Sequence, residues 1–551
     1  MRIVWLYSRV SLFRVYKNEP YVFGTNDSFR KMGYIGNYSF RKTVFFLFFR
    51  SEKWEKVAFF VQKSVILRIQ SEWDMLRRKI EDTLREWKET PGHLPLVIMG
   101  LRQCGKTFIV QKFAEDNYKY VYYMNFTKQP RRIGAFLGSK EVDAILMELS
   151  AQIKGANFVP GETCFIFDEI QDCPDARTSL KFFKEDGRFD VIATGSLLGV
   201  QGYGEKKKKL KRKRKDDMQL GKNSIPVGSE EIIQMYPLDF EEFLWANGVS
   251  EQVIDFLKDC LANEKPVPVG MHLTLKDLLN RYVAVGGLPA AVNKLIETGN
   301  LSKVDAVLRR ILKEYKDDMV KYASDDDKPY IRGCFDSITK QLAKDYKKFQ
   351  YNLIKKDGRA EDYAGSLQWL EDAGMIHRCY NTEATGLPME GNAIESTFKV
   401  YITDIGLLVT MLGGSTRNDI MQGNLGGFIG AIYENLMADT VHKKEQSLYY
   451  YRKESGMELD FLVNYKGECV PVEVKAKTAK AKSLSTALKH PDKYHVYHAV
   501  KFGDFNIGRE GPLLTLPNYM QFLLDLKPEE IVLEPLDVDA MNAMAMEMLD
   551  K

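Results

Sequence analysis

Paired cysteines are missing. Seven cysteines stand at 104, 164, 173, 260, 334, 379 and 469, with no C-x-x-C pair and no histidine at ligand spacing. That pattern excludes a disulfide framework and a zinc site, and it reads as reduced core or loop residues of a cytosolic protein, so the expected compartment is the cytoplasm. A membrane-length apolar run is missing too. Thr43-Val-Phe-Phe-Leu-Phe-Phe49 is apolar but far too short to span a bilayer. No basic start, apolar run and small-residue cleavage site follow one another as in a signal peptide. A broad excess of one charge is also lacking: 79 Lys+Arg face 75 Asp+Glu, a net charge of +4. Residues 1–74 alone hold 13 basic and 6 acidic residues, and Lys206–Lys215 carries nine basic residues in ten. Without these two segments the body sits near −12. Any contact with nucleic acid must therefore be local, with no whole-surface field behind it.

The length of 551 residues is too great for one core and suggests about three or four domains. Residues 1–74 differ from the rest, with 18 aromatic residues and no sustained helical or strand period. They are expected to be a translated leader or the product of a mis-assigned start codon. The competing reading is an aromatic-rich arm that binds a partner. At Met75 the character changes, and Leu76, Ile80, Leu84 and Trp87 mark one face of a helix.

The most informative stretch follows. The apolar run Leu96–Met99 stops at Gly100, and Gly100, Gly105, Lys106 and Thr107 spell G-x-x-x-x-G-K-T. This is a strand feeding a loop whose backbone amides wrap phosphates. Lys106 would reach the outer phosphates, and the Thr107 hydroxyl would ligate Mg²⁺ as a helix begins. Cys164-Phe-Ile-Phe-Asp168-Glu169 reads as a buried parallel strand with acids at its C-terminal tip, where an open α/β sheet binds ligands. Asp168 would hold the Mg²⁺ shell and Glu169 would polarise the attacking water. Asp190–Ser196 is another buried strand ending in hydroxyls, with Thr194 or Ser196 placed to sense the γ-phosphate. Three such tips in this order make an ATP-binding nucleotide hydrolase.

Strands alternating with helices give a three-layer α/β domain over 75–245. Strands are expected at Tyr120–Phe126 and Ile232–Met235, and helices at Val142–Ile153 and Ala176–Phe183. The basic run Lys206–Lys215 falls in a loop on the nucleotide face: a solvated segment or a DNA-contacting hairpin. Residues 246–330 read as a helical lid broken at Arg281–Pro289. Residues 331–415 show helix, helix, strand: Lys340–Arg359 with seven Lys/Arg, a helix N-capped by Asp362 and stopped at Gly374, and a strand Met375–Tyr380. That outline is winged-helix-like and suits duplex DNA; a structural connector fits it equally.

The region 416–526 has its own chemistry. Glu434 lies in a helix whose apolar face is Ile429, Ile432, Tyr433 and Leu436. Tyr449–Val463 and Val470–Lys475 read as strands joined by a turn at Lys466-Gly467. Strand alternation puts Glu473 and Lys475 on one face, with Asp460 beside them on the neighbouring strand. Two carboxylates and a lysine there can hold an oxygen-loving cation and activate water for phosphodiester cleavage. Salt-bridging residues on a hairpin are the alternative. Residues 527–551 form a tail.

Gly100–Thr107, Phe167-Asp-Glu-Ile-Gln171, Ile192–Gly199, Ser224–Gly228 and Tyr236–Leu244 resemble a large prokaryotic AAA-type P-loop ATPase family. Its members carry a C-terminal domain long known only as of unknown function, with a nuclease-like fold. Val285-Gly-Gly-Leu-Pro289, Trp369–Gly374, Lys399–Leu408, Tyr433-Glu434-Asn435, Glu458–Phe461 and Val472-Glu-Val-Lys475 match the second half. The resemblance implies a Walker A lysine at Lys106, Mg²⁺ ligation by Thr107 and Asp168, a catalytic Glu169 and a sensor at Thr194. It also implies a restriction-endonuclease-like PD-(D/E)xK domain with Glu434, Asp460 and Glu473 at metal-binding positions and Glu473 and Lys475 at catalytic ones. DNA is the favoured partner, RNA remains open, and a homo-oligomer would complete each site with an arginine from a neighbour. Arg188 is the first candidate; Arg177 and Arg281 are its rivals.

Overall fold

In the computed structural model, residues 5–7, 12–14, 76–196, 228–322, 327–424, 426, 428–526 and 538–549 are described. The basic run at 206–215 and residues 197–227 lie outside them. The chain divides into two units, Met1–Met75 and Leu76–Lys551. In the first, β1 (Trp5–Tyr7) pairs antiparallel with β2 (Leu12–Arg14), Leu6 opposite Phe13.

In the second unit, five parallel strands form a sheet in the order β4-β5-β6-β3-β7. They are β3 (Leu96–Met99), β4 (Tyr120–Asn125), β5 (Thr163–Asp168), β6 (Asp190–Gly195) and β7 (Glu231–Gln234). Alternation along each strand makes two cores. Leu96, Ile98, Cys164, Ile166 and Ile192 face helices Ile80–Glu89 and Lys106–Asn117. Val97, Phe165, Phe167, Val191 and Ala193 face helices Val142–Gln152 and Pro174–Asp186. The central strands β5, β6 and β3 are buried on both faces and keep their polar side chains at their ends, whereas the edge strands β4 and β7 are partly exposed. The order matters for the site. β6 lies between β5 and the P-loop strand β3, so its tip sits between the acids and the loop.

Helices Phe240–Ala246, Glu251–Ala262, Val269–Val285, Pro289–Thr298 and Leu301–Tyr322 follow, then Lys328–Leu342 and Ala360–Asp372. Asp362 is the third residue of its helix. Arg359 is the cap, and the Asp362 carboxylate accepts its N–H at 3.3 Å, so the expected N-cap moves three residues upstream. The second sheet is mixed, eight strands in the order β14-β15-β13-β12-β11-β10-β8-β9. These are β8 (Ile376–Thr382), β9 (Ala393–Ile402), β10 (Leu448–Arg452), β11 (Glu458–Tyr465), β12 (Glu468–Val474), β13 (Ala499–Gly503), β14 (Gly508–Glu510) and β15 (Leu513–Pro517). The hairpin β8–β9 joins it because β8 runs parallel to β10, Leu448 opposite Cys379. One sheet therefore crosses residue 415, and one continuous apolar core runs from Leu238 to Leu526. The β11–β12 turn has Lys466 at φ 51° and Gly467 at φ 76°, the paired left-handed backbone that a two-residue hairpin needs. Among the described residues no helix is long and apolar enough to cross a membrane.

The two sheets meet at a polar joint. The Leu238 N–H donates to Gly287 O at 2.8 Å, and a Cβ on Gly287 would lie 1.9 Å from Leu238 O; only glycine allows this approach. The Asp404 carboxylate, fully buried, accepts the Gly287 N–H at 2.6 Å and the Leu407 N–H at 3.1 Å. Burial, followed by Asp439, pushes Asp404 up to about 6 against Lys443 and those two amides. Nearby, the His377 and His442 rings stack at 3.6 Å. Burial holds both well below the usual histidine range, His442 at about 4.

Candidate functional site

β3 ends at Met99, and Gly100 turns the chain at φ 151°. A Cβ there would lie 2.1 Å from Met235 O, because the backbone leaving β7 crosses directly over it. The loop ends at Gly105, which caps helix Lys106–Asn117. Lys106 is buried, and its ammonium donates to Gly100 O at 2.7 Å and Leu101 O at 3.0 Å. The charge is thus held inside the loop, not in solvent.

Asp168 at the tip of β5 gathers four donors. Its Oδ1 accepts from the Thr107 hydroxyl at 3.0 Å and from the Thr194 hydroxyl on β6. Its Oδ2 accepts from the Tyr123 hydroxyl at 2.6 Å and from Asn125 Nδ2 at 2.7 Å, both at the end of β4. Burial, then the bond to Asp168, raises the Tyr123 phenol to about 12. Glu169 follows in left-handed backbone at φ 55°, unusual for a side chain of this size. Its Oε2 accepts from Gln171 and, at 3.5 Å, from the Ser196 hydroxyl. The two hydroxyls that the sequence leaves as rivals are thus divided: Thr194 belongs to Asp168 and Ser196 to Glu169.

Sequence reasoning missed Tyr123 and Asn125, although polar residues at the end of an otherwise buried strand were a usable signal. It missed Arg78 as well. That buried guanidinium donates to Cys104 O at 3.0 Å, Tyr236 O at 2.6 Å and Glu242 Oε1 at 3.1 Å, tying the back of the P-loop to the chain after β7. The front of the loop is held by helix Leu301–Tyr322. Asp318 pairs with Arg102, Glu314 accepts from Gln103, and the Tyr315 hydroxyl donates to Arg102 O at 2.7 Å. The three candidate arginines all have carboxylate partners within the chain: Arg188 binds Asp186 and Asp143, Arg177 binds Glu230, and Arg281 binds Asp277.

In the second sheet, Phe461 on β11 faces Val472 on β12, which brings Asp460 alongside Glu473 and Lys475. The Lys475 ammonium lies 2.6 Å from Glu473 Oε1 and 3.2 Å from Asp460 Oδ2. Asp460 also accepts the Val474 N–H at 3.1 Å. Burial, then Asp460 and Glu434, push the Glu473 carboxyl up to about 7 against the pull of Lys475. Glu434, on helix Ile429–His442, pairs with Lys347 at 2.7 Å, a partner from the middle region that the sequence did not suggest. Beside them Lys399, fully buried, lies 2.7 Å from Glu458. Among the described residues no three His, Cys, Asp or Glu side chains gather at metal-holding spacing. The acids stand close but interleaved with lysines.

A parallel sheet with a phosphate loop at one strand tip and an acid at another defines a P-loop nucleotide-binding domain. Residues 93–244 match an AAA domain, which agrees with the P-loop nucleotide-binding fold of this part of the chain. Residues 276–418 match a domain of unknown function (DUF8612), and residues 429–519 match a second one (DUF4143). Among solved structures, the chain is similar to the Walker-type ATPase PABY2304 of Pyrococcus abyssi, with 12% identity and a TM-score of 0.36, over 62% of this chain and 96% of that one. No curated protein matches the chain.

Proposed function

We propose that the protein is an ATP-hydrolysing AAA-type machine that acts on, or is regulated by, nucleic acid, with DNA favoured. The observation that carries the ATPase reading is the convergence of Thr107 and Thr194 on one oxygen of Asp168. It supports reading Thr194 as a γ-phosphate sensor beside the P-loop and the acid. Lys106 binds the outer phosphates, and Glu169 orients and deprotonates the attacking water. A hydroxyl and a carboxylate make a hard donor set that fits Mg²⁺, so Thr107 and Asp168 would hold it. When bound, it neutralises charge on the phosphates. The C-terminal domain is read as restriction-endonuclease-like, with Glu434, Asp460 and Glu473 holding a divalent cation and Lys475 at the scissile phosphate. The buried Glu473 Oε2 has no hydrogen-bond partner, which fits an acceptor left for a cation. Residues 246–330 act as the lid, and 331–415 as a winged-helix-like element whose hairpin β8–β9 is shared with the sheet of the nuclease-like module at 416–526; assembly into a homo-oligomer would bring in Arg188.

A second reading is a nucleotide switch whose C-terminal module binds nucleic acid or protein without cutting. The lysines paired with each acid favour it, because they balance the charge without metal. One experiment separates the two: ATP turnover with single-stranded, duplex and branched nucleic acids, with cleavage followed in the same tubes. Stimulation with metal-dependent cutting supports the first reading, and stimulation without cutting supports the second. ATP turnover indifferent to every nucleic acid, with none cut, rejects both nucleic-acid readings.

A further inference from the structure

We infer that the stretch leaving β12, from Lys475 through helix Lys482–Lys489 to Lys493, is the strip on which a nucleic-acid phosphate backbone lies. The inference rests on the reading that the protein handles nucleic acid, and it holds whether the C-terminal domain cuts or only binds. Between Lys475 and Lys501 the chain has seven lysines and one acid, Asp492. Of the seven, Lys475 alone has a carboxylate within ion-pair distance among the described residues. Lys477, Lys480, Lys482, Lys489 and Lys493 are exposed. The whole chain carries only +4, so this run is a local positive field of the kind that backbone contact needs.

The backbone that carries these lysines is held in place. The Lys475 N–H donates to Phe502 O at 2.9 Å, and Asn518 Nδ2 donates to Lys475 O at 3.0 Å. The Thr478 hydroxyl donates to Asp504 O at 3.1 Å, and the Lys501 ammonium donates to Ala479 O at 2.6 Å. Lys477 and Lys480 therefore stand on fixed loop, and little ordering remains to be done on binding. Helix Lys482–Lys489 follows, its apolar side, Leu484 and Ala487, buried against the sheet. At about 3.6 residues per turn Lys482, Ser485 and Lys489 fall on the opposite side, the two lysines about 10 Å apart along the axis. Ammonium and hydroxyl groups on one exposed side are the donor set that backbone phosphates take. An anionic bilayer also draws lysines, but this helix has no apolar side left to enter one.

The test is fluorescence anisotropy of a labelled DNA duplex titrated with the full chain over a range of salt. In Lys477→Gln/Lys480→Gln/Lys482→Gln the slope of log K against log salt should flatten by about 2–3, and affinity at about 0.1 M salt should fall at least tenfold. The loss should be the same for duplexes of different sequence. Misfolding lowers the competent fraction without flattening the slope, so the slope is the deciding readout. Arginine at the same three positions should bind within about twofold of wild type. Lys154→Gln/Lys303→Gln/Lys313→Gln removes three exposed charges elsewhere and should keep the slope within about 0.5. If the first triple variant does not melt as wild type does, Lys489→Gln/Lys493→Gln is read on the same scale, with a flattening of about 1–2. Wild-type slope and affinity in the first triple variant would overturn the strip and leave the nucleic-acid reading standing. A wild type that binds no nucleic acid fails that reading and the strip with it. Binding to phosphatidylserine vesicles alone, lost in the triple variant, would assign these lysines to a bilayer and overturn the inference.

Discussion

Replacing Gly287 by alanine should break the joint between the two sheets. The new Cβ would lie 1.9 Å from Leu238 O and 2.8 Å from Leu238 C and N, where ordinary contact begins at 3.4 Å. Two backbone segments must part by about 1.5 Å, and both are anchored, so overpacking costs about 1–3 kcal/mol. Parting them also stretches the Leu238 N–H to Gly287 O bond and the Tyr282 hydroxyl bond to Leu238 O, both 2.8 Å, adding about 1 kcal/mol each. The sum, about 3–5 kcal/mol, should lower the melting temperature by about 5–10 °C in scanning calorimetry. Gly365→Ala is the matched control. It sits within helix Ala360–Asp372 with nothing inside 4 Å of its new Cβ, and it should stabilise by about 0.5–1 kcal/mol. A Gly287→Ala protein melting with wild type, or above it, would refute the close-crossing argument.

Lys106→Ala should abolish ATP binding in an equilibrium fluorescence titration, because the buried ammonium is the loop's own cation. Retained wild-type affinity would remove it from the phosphate site. Burial pushes the Asp404 carboxyl up from the ordinary aspartate value of 3.8 to about 6. Its raised value stabilises the fold at low pH, and that contribution is lost as pH rises through about 6. The stability gap between wild type and Asp404→Asn should therefore shift in favour of the variant by up to about 3 kcal/mol from pH 4 to pH 8. A pH-independent gap would show that Asp404 is not the titrating group. Arg188→Ala should lower ATP turnover at concentrations where the protein self-associates, by about 10³-fold if the arginine reaches a neighbour's site. A strict monomer with unchanged turnover would reject that role.

The P-loop and the acid-tipped strand were legible because their chemistry is local. A glycine turn, a lysine and a threonine within eight residues need no tertiary information. The helix Val142–Gln152 and the hairpin turn at Lys466-Gly467 were readable for the same reason: period and turn chemistry agree there. What stayed hidden is what depends on long-range approach. Arg78 satisfies acceptors in three segments up to residue 242, and nothing in its neighbours announces that. Lys347 and Glu434 are 87 positions apart, on a connector and a helix whose proximity is set by the β8–β10 pairing. That pairing also hid the extent of the second sheet, since a parallel partner across an intervening helical stretch leaves no local mark. The Val-Gly-Gly-Leu-Pro run could be matched to a family, but its physical reason, the Leu238 carbonyl pressed against Gly287, appears only in three dimensions.

The proposed hydrolysis of ATP, with Glu169 as the general base beside Asp168, is checked by measuring phosphate release and equilibrium ATP binding for wild type and Glu169→Gln in the same preparation. Glu169→Gln should bind ATP as wild type does while phosphate release falls by about 10²-fold or more. Equal rates of phosphate release in the two proteins, or no release from wild type under any condition, would contradict the claim.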